Sequence, residues 1–499
     1  MIYFVLLWSF LLCFFPTQLV AEDNRADTMG LIQFVELTLE KSDTALTIQE
    51  NSINNDLDLD QAQHNFTTQW QPLSSFSTSN NSSTQSLGIE AKRSTTWGPK
   101  FTVGVAGDRI ATENGNDTIS AREYINVSQG LFRRWGSKYT RLPLTIAELK
   151  REQGRVRNEQ QTQDLILSAV RAFFQVTLSS RLLNKSKLSL VRAQANQQTA
   201  TARQNVGLES KVDVYRAELA ALNAENKHKD QYRQHEKDLE QANEMLSQNG
   251  SEKLLLDERI CNIRPFLPEN WQQDFLASHP EWRILQIEKK ISDLNYFKAK
   301  RGLLPDANLK LALTQREHNN ETTSTTTDNT EWQVDLNISS TLGRFDEKTT
   351  LKRQETTRKR LQRDIASKLR RLNRNVRILH EDLEVEKRRY RISMEQLKQA
   401  KLALELAHLR YERGLSNNLD LLDAEQAFSQ AELDIVRNQV KYNLVAVNLA
   451  HKLGILDLEW LRRSLFIPAQ EVKPPSFQVH TKQPAEVETK SHPADKQVK

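Results

Sequence analysis

The chain has 499 residues, of which 38% are hydrophobic and 27% charged. The length would hold two or three ordinary domains, but that composition argues against one thick globular core. The 69 basic and 64 acidic residues leave a formal net charge of only +5, and the signs are interspersed, which fits solvated helix faces and excludes a nucleic-acid patch.

The first 21 residues, MIYFVLLWSFLLCFFPTQLVA, hold no charged side chain and end in a small residue. They predict a signal peptide cut after Ala21, and therefore export. The basic residues usual at the start of such a peptide are missing, so an uncleaved N-terminal anchor is the alternative. Cleavage leaves Cys261 alone, which excludes an intrachain disulfide and a thiolate cluster. No later stretch approaches the ~20 apolar residues of a spanning helix, so a membrane crossing is expected from strands.

A helix-like stretch follows, closed by Pro72. FTVGVAG from Phe101 and EYINVSQGLF from Glu123 are strand-like, separated by the polar loop DRIATENGNDTISAR. LGIEAKRS and the turn-like TTWGP precede them, and the pattern leaves open a longer strand, an added hairpin or a periplasmic appendage. From Ser137 to Asn249 the only breakers are Pro143, Gly154 and Gly207, so the segment reads as helix, glycine turn, helix.

After a further helix-like stretch closed by Pro305, the period changes from 3.6 to 2. Leu309, Leu311 and Leu313 alternate with polar or small residues, as do Trp332, Val334, Leu336 and Ile338. The linker between them, QREHNNETTSTTTDNTE, is polar throughout and reads as a loop. An antiparallel strand pair with one apolar and one polar face is expected. The alternation suits an outer-membrane barrel hairpin or a soluble two-layer sheet equally.

Between Arg344 and Leu453 there is no proline and one glycine, Gly414. Leu397, Ala400, Leu404, Ala407 and Tyr411 step by three and four, as do Leu421, Ala424, Phe428, Ala431 and Ile435 beyond the glycine. That is the seam of two antiparallel coiled-coil-like helices. The arm from Lys348 to Tyr411 would run about 95 Å. From Phe466 onward lie five of the 13 prolines, and this tail is expected to be disordered.

The halves repeat each other. GLESKVDVYRAELAALNAE from Gly207 and GLSNNLDLLDAEQAFSQAE from Gly414 align without a gap, matching Gly, Leu, Asp, Ala, Glu, Ala, Ala and Glu. Each half reads helix, strand pair, long helix, glycine turn, helix. These features resemble the TolC-type outer-membrane channel family, which serves efflux pumps and type I secretion. The resemblance is carried by YERGLSNNLDLLDAEQAFSQAELDIVRNQVKYNLVAVNLAHKLG from Tyr411, QNVGLESKVDVYRAELA, SQGLFRRWG from Ser128, and SHPEWRILQIEKKISDLNYFKAKRGLLPDANLKL from Ser278. It covers roughly residues 30 to 462.

The resemblance implies a mainly α fold with membrane β structure. Duplicated long helical hairpins form a coiled-coil tunnel, and two β-hairpins per protomer join a homotrimeric 12-strand barrel. It implies a passive conduit in the outer membrane of a Gram-negative bacterium, reaching into the periplasm. The partners would be a periplasmic adaptor and an inner-membrane transporter, with outer-membrane lipid around the barrel. The parts would be a signal peptide (1–21), an N-terminal periplasmic helix (22–72) and a first strand region (73–135). A first hairpin (136–250), a linker and entering helix (251–304) and a second strand pair (305–343) follow. A second hairpin (344–454) and an equatorial segment with the tail (455–499) complete the chain. A periplasmic coiled-coil adaptor or scaffold is the alternative, disfavoured by the two hairpins and the missing lipoyl halves.

On this resemblance Asp420 and Asp423 fall on the acidic rings of the periplasmic aperture, with Asp213 the first-repeat counterpart of Asp420. Capping at the start of a helix is the plainer role for these carboxylates. Gly207 and Gly414 are expected in the left-handed turn conformation. Leu208, Leu415 and Tyr411 complete the tips as adaptor-docking residues, although packing across the turn would equally hold the two leucines. Leu309, Leu311, Leu313, Trp332, Val334, Leu336 and Ile338 would face lipid. The family's tip often carries a basic residue two after the glycine, where this chain has Ser416, which disfavours an arginine-based lock there. No phosphate loop, nucleophile elbow or metal-ligand spacing is present, so neither enzyme activity nor a cofactor is expected.

Overall fold

A computed structural model describes residues 28–79, 82–112, 118–247, 256–257, 260, 262–265, 271–320 and 325–466. The signal-peptide reading, Cys261 and the C-terminal tail lie outside the described residues. Two helices, α1 (Leu31–Lys41) and α2 (Asp43–His64), lead into β1 (Thr68–Ser79), β2 (Ser82–Ser94), β3 (Lys100–Thr112) and β4 (Thr118–Phe132). The helical turn α3 (Ser137–Thr140) introduces α4 (Leu142–Asn205), which returns as α5 (Lys211–Met245). The short elements β5 (Asn262–Ile263) and α6 (Trp271–Ser278) precede α7 (Pro280–Gly302), β6 (Asp306–Asn320) and β7 (Thr325–Ser339). The second long helix α8 (Phe345–Glu412) returns as α9 (Asn418–Leu453), followed by α10 (Leu458–Ser464) and β8 (Leu465–Phe466).

The hairpin arms are unequal. α4 has 64 residues and α8 has 68, each about 100 Å long at 1.5 Å per residue. α5 and α9 have 35 and 36, so they cover only the half nearer the tips. α2 and α7 cover the other half: Arg151 pairs with Asp56 at 2.6 Å, and Arg283 with Glu159 at 2.6 Å. Nearer the tips, buried Glu432 of α9 takes Lys185 at 2.8 Å and Arg192 at 3.4 Å from α4, tying one hairpin to the other.

The main apolar core lies where these layers meet. Phe34 and Val35 of α1 pack with Phe173 and Phe174 of α4, Val447 and Leu453 of α9, and Leu461 of α10. α4 carries an 18-residue window apolar enough, by length and composition, to cross a membrane, and 61% of that window is buried. The sequence reading admitted no such stretch. Its apolarity follows from its position, surrounded by α1, α5, α7 and α9.

The strands form one antiparallel sheet in the order β1-β2-β3-β4-β6-β7. Six strands in three hairpins replace the expected four in two, and the open question about LGIEAKRS resolves as β2 of an added hairpin. Pro72 does not end a helix. It sits within β1, paired with Ile89, and an edge strand is where a sheet tolerates proline. The polar linkers are also largely strand: β6 and β7 stay paired out to Asn320 and Thr325, because β-compatible polar residues extend a ladder without an apolar face.

Candidate functional site

Two features stand out from the helical shaft: the paired hairpin tips at one end and the sheet at the other. Both tips end by the same local chemistry. Gly207 and Gly414 have φ of +76° and +71°, a conformation that costs a residue with a Cβ roughly 1 kcal/mol or more. Behind each glycine the chain closes a Schellman turn. Leu208 N–H donates to the Arg203 carbonyl at 2.9 Å, and Leu415 N–H to the Arg410 carbonyl at 2.8 Å. The third residue of each turn starts the next helix: the Ser210 hydroxyl accepts from Asp213 N–H, and the Asn417 amide oxygen from Asp420 N–H at 3.0 Å.

Ser210 and Asn417 are therefore the caps, and the aspartates occupy the third helical position. Each carboxylate is held there by a hydroxyl, Ser210 donating to Asp213 at 2.6 Å and Ser416 to Asp420 at 2.7 Å. Asp420 and Asp423 are exposed, while Asp213 is half-buried beside Arg216 at 3.6 Å. Leu208 and Leu415 are each 68% exposed, which decides against packing across the turn.

Tyr411 departs from its expected place on the docking surface. It is 3% exposed, with the Arg203 guanidinium 4.6 Å from its ring centroid. Arg203 also donates to the Tyr411 carbonyl at 3.2 Å and pairs with Glu209 at 3.4 Å. Burial, and then the neighbouring Glu209 carboxylate, push the phenol well above its ordinary range, so it is neutral at physiological pH. Buried Asn418 completes the junction, donating to the Asp213 carbonyl at 3.2 Å and accepting from Asn196 at 3.1 Å. An arginine does lock the tips within one protomer, but it comes from the end of α4 and not from position 416. Arg203, Glu209, Asn196 and Asn418 were missed in the sequence because their partners lie over 200 residues away or across a turn.

The sheet is inverted relative to a soluble protein. Val103 and Val105 are 50% and 49% exposed, while Ala106 between β2 and β4 is 2% exposed. Leu311, Leu313, Trp332, Val334, Leu336 and Ile338 are all exposed, and Leu309 is half-buried. Register extends this outward apolar face to Trp70, Phe76, Leu87 and Ile89 of the added hairpin. No second layer covers it among the described residues, so the two-layer sheet is not what forms. The opposite face carries Lys92, Glu90, Asp108, Arg122 and Tyr124, joined by ion pairs and hydrogen bonds. Apolar outside and polar inside is the arrangement of a barrel wall in lipid.

Comparison with known proteins agrees with this geometry. Residues 271–454 match the family model for outer membrane efflux protein. No curated protein sequence matches the chain. Among solved structures, the Campylobacter jejuni CmeC outer membrane channel superposes with a TM-score of 0.66 at 14% identity, over 86% of this chain and 87% of that one. The open-state MtrE channel of Neisseria gonorrhoeae gives 0.64 at 16% identity, over 85% and 89%. VceC of Vibrio cholerae gives 0.64 at 14%, over 85% and 96%. The fold is that of outer-membrane channels, with the apolar face of its sheet turned outward. Over residues 271–454 the chain is similar to the outer membrane efflux protein family, and over most of its length it shares the fold of these channels.

Proposed function

We propose that three copies of this chain form the passive exit duct of a tripartite export system, either an efflux pump or a type I secretion apparatus. Its energy would come from an inner-membrane transporter through a periplasmic adaptor. The carrying observation is the pair of equivalent tips. Each presents one leucine to solvent at the same turn position, about 100 Å of helix away from the outward apolar sheet. An apolar residue held in the same geometry on two rigid turns suits docking into an adaptor's helical hairpin. Leu208 and Leu415, on Gly207 and Gly414, are the docking residues in this reading, with Tyr411 acting behind them as a brace. Asp420 and Asp423 line the aperture together with Asp213. Six copies of exposed carboxylate around one axis would focus a negative potential and favour cations. Leu309, Leu311, Leu313 and Trp332, Val334, Leu336, Ile338 contact lipid.

Fractionation followed by gel electrophoresis without heating tests the assembly. A heat-labile oligomer extracted only from outer membranes is the expected result. A protein recovered in the soluble periplasmic fraction would end the channel reading and favour a scaffold.

A further inference from the structure

The added hairpin sets the size of the barrel. We infer that β1–β2 is a structural part of the barrel wall, that β1 of one copy pairs with β7 of the next, and that the closed trimer therefore has eighteen strands instead of twelve. The inference rests on the trimeric-channel reading and goes beyond it by naming the joint.

Three observations carry it. First, the hairpin is built into the wall. β2 pairs with β3 over its whole length, from Ser82↔Thr112 to Ser94↔Lys100. The Tyr124 hydroxyl of β4 reaches past β3 to donate to Glu90 of β2 at 3.0 Å. It can do so because Gly104 lies beneath it: a Cβ there would stand 2.4 Å from the Tyr124 ring. Glu90 is 7% exposed, and a carboxylate that buried is held by its partners.

Second, the apolar band runs on through the hairpin along one diagonal. Following the pairing straight across from Ile89 leads to Val105, Glu123, Gln315 and Thr330. The last three are polar. On β7 the apolar residues centre near position 335, five residues from Thr330 over four strand steps. With about 3.4 Å per residue and ~4.8 Å between strands, that is a tilt of about 40°. Barrel strands tilt by roughly 35–45°. Trp70 and Phe76 of β1 lie on the same outward face, one on either side of Pro72, the residue paired with Ile89.

Third, the sheet has two free edges, β1 and β7, and both carry outward apolar side chains. An unpaired strand edge does not persist in hydrocarbon, where each unsatisfied backbone group costs several kcal/mol. Every neighbouring pair in the sheet is antiparallel, so β1 and β7 run in opposite directions. A β7–β1 joint between copies therefore continues the antiparallel order and gives the even strand number that bacterial barrels have. Pro72 removes at most one bond from that joint. Barrel diameter grows roughly linearly with strand number, so this wall is about one and a half times as wide as a twelve-strand one.

Cysteine cross-linking in the full chain, with Cys13 and Cys261 replaced by serine, tests the joint. Val334→Cys on β7 is combined with a cysteine scan along β1 (residues 68–78) or along β3 (101–111), and outer membranes are oxidised. The expected result is reducible two- and three-chain species for positions on the outward face of β1 and none for β3. Cross-linking to β3, which would mean a twelve-strand barrel with the hairpin folded aside, overturns the inference. So does a native trimer that cross-links with neither scan. Loss of the outer-membrane trimer in the cysteine-free parent would instead remove the channel reading, and this inference with it. Single variants Ser75→Cys and Phe76→Cys give an independent measure. A membrane-impermeant maleimide should label Ser75→Cys severalfold faster, and equal labelling would place β1 outside the wall.

Discussion

The two halves of the molecule share a backbone plan and differ in two places. At the tips, the turns superpose element by element: glycine with positive φ, exposed leucine, polar cap, aspartate at the third helical position. Three residues further on they part. The first repeat has Arg216, 3.6 Å from Asp213, and the second has Asp423 at the aligned position. At the sheet, the first half supplies four strands and the second two. The two repeats share what the turn geometry requires and differ in tip charge and strand number, neither of which is needed to make a hairpin.

The largest effect is expected where the two strand regions are compared directly. Leu336→Arg in the second half should strongly reduce the outer-membrane trimer, since a charge on the lipid face costs about 2–4 kcal/mol near mid-membrane. Asn337→Arg, on the inward face, should be tolerated. Leu87→Arg in the added hairpin should behave like Leu336→Arg. Tolerance at Leu87 alone would separate the halves and remove the hairpin from the wall.

A second comparison sets one tip against the other. Leu208→Asp with Leu415→Asp should abolish export while leaving a folded trimer in the membrane, and each single change should act less. Export unchanged in the double variant would remove the docking role of the leucines.

Charge should divide the tips more gently. Asp420→Asn with Asp423→Asn should weaken cation selectivity and multivalent-cation block in single-channel recordings. Asp213→Asn should do less, because Arg216 already offsets that carboxylate. Equal effects from both tips would mean that Arg216 turns away from Asp213 in the assembled channel, and no effect from either would leave the aspartates only their part in starting the helices.

The caps should differ least. Ser210→Ala and Asn417→Ala each remove one side-chain acceptor, a loss of about 1 kcal/mol. Thermal melts should show similar small shifts for both. A much larger shift at Asn417 would mean that the turn also supports the neighbouring Asn418 junction.

How much of this was legible depended on how local the cause was. The long helices were readable because more than sixty residues keep one period with few breakers, and each turn because a single glycine interrupts it. The outward face of β6 and β7 was readable as alternation, since Leu309 to Leu313 and Trp332 to Ile338 lie in unbroken runs. The added hairpin was not, because β1 sets Trp70, Pro72, Leu73 and Phe76 among glutamine, serine and threonine, with Leu73 out of step, and its outward face emerges only when paired with Leu87 and Ile89. Which face of the sheet met solvent was likewise undecidable from a period of two, which both barrels and two-layer sheets share. Sequence by itself determined the duplicated hairpins and their turns, because backbone sterics and a 3.6-residue period act within a few residues. Only the tertiary structure decided the six-strand wall and the Arg203–Tyr411 brace, because strand pairing and side-chain contact join residues that the chain keeps far apart.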